Sequence, residues 1–336
     1  MLLGVLIWVQ EGSRQTEPRS PYGIPEDIVA RYFADATHRH GYQVTASTLH
    51  SWLASGKPIL LIDVRQPNGT DGYNKGHIPG AYNIPLQWFG TELTATHRFT
   101  RSVRVGSATE TIQFFPLPTH IPIVIMCYDG NGGEMTPVVL RLLGYHAYGL
   151  TDGVSSWNAK LDVWPVIGTF SDFPVVTGPG SKGPNLNPAV TGRDLLGYSW
   201  KTRLEPFWHG LNHPYPVGYS RPWTINKEAL WALLAGPHPP EVLDLRSRAQ
   251  FRAGHIGQSL NIPFAQLGAN LALISRTRQV VLVSRTLQDA AQANAILRLM
   301  GYHSYVLEKG LAIWNSQFGT IDPPYHFPIV PGLKRG

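Results

Sequence analysis

The chain contains the same pattern twice, and this repeat constrains its fold more than any other feature. Asp63-Val64-Arg65 returns as Asp244-Leu245-Arg246, Gly76-His77-Ile78 as Gly254-His255-Ile256, and Asn83-Ile84-Pro85 as Asn261-Ile262-Pro263. Farther on, Gly144-Tyr145 returns as Gly301-Tyr302 and Trp157 as Trp314. Asn83 and Asn261 lie 178 positions apart, whereas Cys127–Ser284, Gly144–Gly301 and Trp157–Trp314 are each 157 apart. The first copy therefore carries 21 extra residues between Pro85 and Cys127. In each copy short β-branched runs alternate with segments of helical period, which favours an α/β fold. The expected architecture is two domains, each a parallel sheet flanked by helices on both faces.

Boundaries follow from where the pattern starts and stops. We expect an N-terminal arm and helix over 1–41 and a first domain over 42–165 with an insertion at 91–118. A Pro/Gly-rich linker is expected over 166–221, a second domain over 222–320 and a C-terminal tail over 321–336. Pro25–His38 reads as a helix with Ile28, Val29, Tyr32 and Phe33 on one face. Thr45 is placed to cap a second helix, Ala46–Ala54. Ile59–Arg65, Ile123–Met126 and Ala147–Leu150 read as strands, and Phe99–Phe115 as a β-hairpin turning at Gly106-Ser107. Its place just before the cysteine strand puts the insertion beside the mouth of any site there. In the linker, Trp200, Phe207, Trp208, Tyr215 and Tyr219 argue for packing on a domain surface.

Cys127 is the only cysteine, and it ends an apolar strand. Gly130-Asn131-Gly132-Gly133 follow, then a helical segment expected from Glu134 to Leu143, or from Gly133 at the earliest. If instead Thr136 and Pro137 are N-cap and N1, the helix starts later and the loop is wider. Glycines let the N–H groups after Cys127 turn inward, and a helix N-terminus behind them favours negative charge. A thiol in such a cradle should ionise below the usual value of about 8.5. The same residue also fits an inert core position, since free cysteine packs as a small hydrophobe.

Composition narrows the alternatives. Charged residues are only 15% of the chain, while Gly (34), Pro (28) and Trp (10) are plentiful, so long ordered loops rather than helical bundles are expected. The net charge of +6 comes without a dense Lys/Arg block, so it points to anionic small molecules and not to nucleic acid. Apolar Met1–Val9 is too short to span a bilayer; it fits a signal-peptide remnant without the basic lead or a clear cleavage site, or equally an apolar arm packing on the body. No membrane span is expected, and the cytoplasm is favoured over export. No cluster has metal-ligand spacing and no phosphate loop appears, so neither metal nor cofactor is expected. The oligomeric state is left open.

The pieces Asp63-Val64-Arg65, Gly76-His77-Ile78-Pro79-Gly80-Ala81, Cys127-Tyr128-Asp129-Gly130-Asn131 and Asp152-Gly153 with Trp157 together resemble the rhodanese family of sulfurtransferases. The resemblance spans about 45–161, and 224–318 in the second copy. It implies that Cys127 is the sulfur-carrying nucleophile, that the backbone of Tyr128, Asp129, Gly130, Asn131, Gly132 and Gly133 binds the substrate, and that Asp63 and Arg65 support it. It further implies a small-molecule sulfur donor of the thiosulfate type and a thiol or cyanide acceptor. Familiar tandem members carry the cysteine in the second domain; here Ser284 stands there, which leaves that copy inactive. His77, Asp63 and Arg65 recur in the thiol-less copy, so their main role should be structural.

Two other readings compete. Phosphatase and arsenate reductase relatives place an arginine six positions after the cysteine, where this chain has Gly133, so a bidentate clamp on a tetrahedral dianion is missing. A non-catalytic binding module is the third, suggested by Ser284.

Overall fold

The computed structural model describes residues 26–38, 40–69, 71–86, 99–105, 108–114, 117–118, 120–142, 144–163, 207–208, 210, 218–220, 223–319, 325 and 327–328. The N-terminal arm, most of the linker and most of the tail lie outside the described residues. In the first copy β1 (Gln43–Val44), β2 (Leu60–Asp63), β3 (Tyr82–Asn83), β6 (Ile123–Met126) and β7 (Ala147–Leu150) form one parallel sheet in the order β1-β7-β6-β2-β3. The second copy repeats it with β9 (Thr224–Ile225), β10 (Glu241–Asp244), β11 (Leu260–Asn261), β12 (Val280–Val283) and β13 (Ser304–Leu307). There β8 (Tyr219–Ser220) adds an antiparallel edge to β9. The insertion forms a separate antiparallel hairpin, β4 (Phe99–Val105) with β5 (Ala108–Phe114) and Val105 opposite Ala108.

Each sheet is covered on both faces, and the two copies meet through their central helices. Along β6 the side chains alternate: Ile123 and Ile125 join a central core, Val124 and Met126 an outer one. The outer core is closed by α2 (Ala46–Ala54) and α4 (Gly153–Trp157) through Leu49, Val154 and Trp157. The central face is covered by α3 (Asn131–Leu142), which brings Val138, Val139 and Leu140. The second copy mirrors this: Val281 and Val283 face α5 (Lys227–Leu234) and α8 (Leu311–Trp314), while Val280 and Leu282 face α7 (Gln288–Leu299). Helices α3 and α7 pack against each other, and one hydrophobic cluster runs through both copies. The small residues Ala290, Ala291, Ala293 and Ala295 let α7 approach closely. Helix α1 (Glu26–His38) lies on the second copy: Phe33 meets Phe264 edge-on at 5.0 Å. A Cβ on Gly268 would stand 2.5 Å from Ala30 Cα. Between β10 and β11 lies the short α6 (Arg248–Ala253), capped by Ser247 in a capping box with Gln250.

Local chemistry explains the ends of these elements. Thr45 caps α2 by accepting from Thr48 N–H, and Asn226 caps α5 by accepting from Ala229 N–H. Of the linker aromatics expected to pack, Phe207 and Trp208 are buried in the central core; Trp200 and Tyr215 lie outside the described residues. From the tail, Tyr325 exchanges backbone hydrogen bonds with Ser156 and Ala159, and Phe327 stacks on His50 at 4.1 Å. Among the described residues no helix is long and apolar enough to cross a membrane.

Candidate active site

The carboxyl ends of the central strands β2, β6 and β7 converge on one edge, the usual place for a ligand in a parallel sheet. The Asp-x-Arg repeat is the lock that shapes this edge. Arg65 donates through Nε and Nη2 to the Asp63 carboxylate and through Nη2 to Gly76 O at 2.7 Å; both side chains are fully buried. Asp244, Arg246 and Gly254 reproduce it in the second copy. His77 and His255 are buried, stack on Tyr73 and Phe251, and lie within hydrogen-bond distance of the carbonyls of those same residues. These contacts fit the structural role that the recurrence in both copies implies.

Cys127 follows β6 directly, and its side chain is almost wholly buried. Gly130 N–H donates to Sγ at 3.3 Å, and the N–H groups of Asp129 and Gly133 also point at the sulfur. Gly130 reaches this geometry at φ 102°, a left-handed value that glycine adopts without strain. At Gly133 a Cβ would stand 3.1 Å from Cys127 N and 3.4 Å from Sγ, so a side chain there would press on the thiol and its backbone. Asn131 N–H does not serve the sulfur; it donates to Asp129 Oδ1. Tyr128 presents its ring to the Arg65 guanidinium at 5.8 Å and its carbonyl to Ser155 N–H and Oγ. Gly132 accepts from Thr136 Oγ1.

The loop is held from beneath by the Asp152-Gly153 turn. Val154 N–H donates to Cys127 O and Ser155 N–H to Tyr128 O. A Cβ on Gly153 would fall 2.5 Å from Cys127 O, and its φ is 60°. The turn and the thiol loop are therefore one unit, which explains why both appear in the pattern.

Two expectations need correction. Helix α3 begins at Asn131, not at Gly133 or Glu134: Glu134 N–H donates to Gly130 O at 2.7 Å, closing the first turn over three poor helix formers. Tertiary contact with the sulfur overrides propensity there, and the stretch between Cys127 and the helix is only Tyr128-Asp129-Gly130. Pro137 consequently falls in the second turn, inside the helix. The second correction concerns the thiol. Its pKa is pushed up to about 12, first by burial and then by the Asp129 carboxylate, whose Oδ1 lies 4.0 Å from Sγ. The three N–H groups pull the other way and lose.

The family follows from the comparison with known proteins. Residues 45–160 and 226–317, more than half of the chain, match the model described as Rhodanese-like domain. This chain belongs to the rhodanese-like family. It is similar to a rhodanese-like domain protein from Staphylococcus aureus, with 21% identity over 27% of this chain and 90% of that one and a TM-score of 0.27. It is also similar to a thiosulfate sulfurtransferase from Pseudomonas aeruginosa (17% identity, 94% of this chain and 49% of that one, TM-score 0.26). A third likeness is to YnjE (15% identity, 88% of this chain and 69% of that one, TM-score 0.30).

The second rhodanese-like copy keeps the scaffold without the cradle. Ser284 occupies the place of Cys127, and its Oγ accepts from Ala290 N–H and donates to Thr286 O. Leu287, in the place of Gly130, has φ −95°, so the loop takes another path. Leu311 and Ala312 N–H groups still donate to Ser284 O and Arg285 O, as Val154 and Ser155 do in the first copy.

Sequence reasoning missed what the second rhodanese-like copy brings to the first loop. Gln288 Nε2 donates to Asp152 Oδ1 and reaches Asp129 O at 3.5 Å. Lys309 Nζ pairs with Asp129 Oδ2 at 3.8 Å and donates to Val163 O. Behind them Gln292 Nε2 donates to Glu134 Oε2 and Tyr32 Oη to Gln292 Oε1. Counting 157 positions from Asn131 and Asp152 finds Gln288 and Lys309, so the repeat held that signal. Among the described residues no group of His, Cys, Asp or Glu is arranged to hold a metal ion.

Proposed function

We propose that this chain moves a sulfane sulfur from a thiosulfate-like donor to a thiol or cyanide through a persulfide on Cys127. The observation that carries the reading is the convergence of three backbone N–H groups on one sulfur. The cradle aims N–H groups at the sulfur, where they favour its anionic form against burial and Asp129, and it is tight at Gly133. A tetrahedral phosphate would need more space and a cationic clamp, which favours sulfur over phosphoryl chemistry.

In the first half-reaction the Cys127 thiolate attacks the outer sulfur of the donor. The donor S–S bond breaks, its electron pair leaves with sulfite, and a Cys–S–S⁻ persulfide remains. In the second, the acceptor thiolate attacks the terminal sulfur and the Cys127 thiolate departs. Neither step changes the total oxidation state, and one difficult transfer becomes two easier ones. The thiol proton must leave first; Asp129 Oδ1, 4.0 Å from Sγ, is the nearest carboxylate oxygen to accept it. The insertion over 91–118 directly precedes β6 in the chain, and we assign it a role in admitting the acceptor.

The test is intact-mass analysis after thiosulfate. The wild type should gain the mass of one sulfur atom and lose it to cyanide with formation of thiocyanate. Cys127→Ser should do neither, since no other thiol exists. Turnover surviving in that variant would remove the mechanism.

A further inference from the structure

The second copy has no thiol, yet it supplies two side chains to the first copy's loop. We propose that Lys309 is a positioning residue of the Cys127 site: its ammonium holds the Asp129 carboxylate and offsets that negative charge beside the sulfur. The active site is then shared between the copies, and the second one is retained for chemistry as well as packing. This deepens the sulfur-transfer reading and rests on Cys127 as its reactive group.

The geometry is specific. Asp129 uses its two oxygens differently: Oδ1 accepts from Asn131 N–H and lies by Sγ, while Oδ2 faces Lys309 Nζ at 3.8 Å. Neither side chain is in bulk water; Lys309 is 12% and Asp129 21% exposed. Such a pair is screened less than one on the open surface. Lys309 is also fixed at its far end, where Nζ donates to Val163 O at 3.1 Å. Val163 N–H donates to Ser155 Oγ, and Ser155 donates to Tyr128 O next to the thiol. The ammonium thus ties both sides of the loop to the second copy.

The charge balance makes this anchor consequential. A carboxylate 4.0 Å from a sulfur opposes the thiolate, and opposes any anionic donor approaching it. Other charged groups around the pair are mainly acidic: Glu308 next to Lys309, Glu228 near Glu308, and Asp152, which accepts from Gln288. On the far side of Tyr128, Arg65 is already held by Asp63. Lys309 is the cation in contact with Asp129 among the described residues. Without it Asp129 loses the ion pair that offsets its charge beside the sulfur.

Iodoacetamide alkylation of Cys127 as a function of pH tests this without any sulfur donor. At a fixed pH below the midpoint, raising a thiol's pKa by one unit cuts its thiolate tenfold but increases intrinsic nucleophilicity, a net loss of about threefold. Lys309→Met should slow alkylation at pH 8 by roughly that factor or more and move the midpoint upward. Lys309→Gln, which keeps a donor for Val163 O and lacks the charge, should behave the same way, and Lys309→Arg should recover most of the rate. In an Asp129→Asn background the Lys309 substitutions should have little effect. Equal effects in both backgrounds, or wild-type profiles for the Met and Gln variants, would overturn the proposal. A melting temperature for each variant separates lost charge from lost packing. Persulfide formation read in parallel keeps the two ideas apart: a wild type that forms none while Lys309 still controls alkylation refutes sulfur transfer alone.

Discussion

Asp152 of the first copy and Lys309 of the second stand 157 positions apart, at the same place in the repeat. Both have left-handed backbones, φ 57° and 56°, in the turn that supports the cysteine or serine loop. Each reaches across to the other copy's loop, Asp152 to Gln288 and Lys309 to Asp129. The duplication has thus kept the backbone device and exchanged the charge at its tip. An acidic residue on the cysteine copy meets an amide; a basic residue on the serine copy meets the carboxylate beside the thiol. The exchange fits the proposed single site, where only the loop that carries the thiol needs its charge managed.

Replacing that carboxylate tests the electrostatics directly. Asp129→Asn removes the second-largest cause of the raised thiol pKa and leaves burial in place. The alkylation midpoint should fall below that of the wild type but stay above an unperturbed cysteine, about 8.5. With the wild-type value at about 12, alkylation and persulfide formation should both rise steadily from pH 7 to pH 9. A plateau near neutral pH would show a thiol that the N–H groups stabilise more than burial and Asp129 oppose.

Moving the thiol to the second copy should fail. In a Cys127→Ser background, Ser284→Cys places sulfur where Leu287 has φ −95° and Gly130's left-handed turn is missing. The N–H groups cannot converge as they do around Cys127, and a stabilised persulfide has no cradle. We expect less than about a hundredth of wild-type thiosulfate turnover, on the scale of losing an oxyanion-type donor. Turnover within a few-fold of the wild type, measured as thiocyanate release, would show that loop path matters little.

Gly153 is predicted to be indispensable. An alanine there would hold φ 60° and put Cβ 2.5 Å from Cys127 O and 2.7 Å from the Tyr128 carbonyl carbon. Left-handed strain and overpacking together should cost roughly 2–5 kcal/mol. Urea titration should show this loss, and any folded Gly153→Ala protein should form persulfide slowly because the loop has been displaced. Stability within about 0.5 kcal/mol of the wild type, the range of a neutral surface change, would mean the turn and loop are not the single unit described here.

Much of this architecture was legible in the chain because its causes are local. Thr45 and the strand runs announce their elements, and the doubled Asp-x-Arg marks a buried lock that each copy needs. Comparing offsets located the hairpin. The thiol's behaviour was not legible, because it depends on how far the fold buries Cys127 and on which way Asp129 turns. Glycines at 132 and 133 argue locally against a helix, yet α3 begins before them because that path brings N–H groups to the sulfur. Glu134 gave even less warning: its partner Gln292 is 158 positions away.

That Glu134 carries the last prediction. It is fully buried between the copies, with Gln292 donating to Oε2 and no partner for Oε1 among the described residues. Burial raises its pKa well above the usual carboxylate value; the Gln292 hydrogen bond pulls it down, and Asp289 and Asp152 push it up again. An unfolded chain releases it above about pH 4.3. The folded state therefore binds more protons than the unfolded one from there upward, and stability falls as pH rises until the folded pKa is reached. Glu134→Gln preserves shape and the Gln292 hydrogen bond but has nothing to titrate. Its melting temperature should approach that of the wild type near pH 4.5 and exceed it increasingly as pH rises, until the folded pKa of Glu134 is passed. The limiting slope is about 1.4 kcal/mol per pH unit. Asp289, also held above its ordinary range by burial, remains in both proteins and largely cancels from the difference. A gap that shrinks with rising pH would mean that Glu134 is ionised in the native protein and held by positive charge.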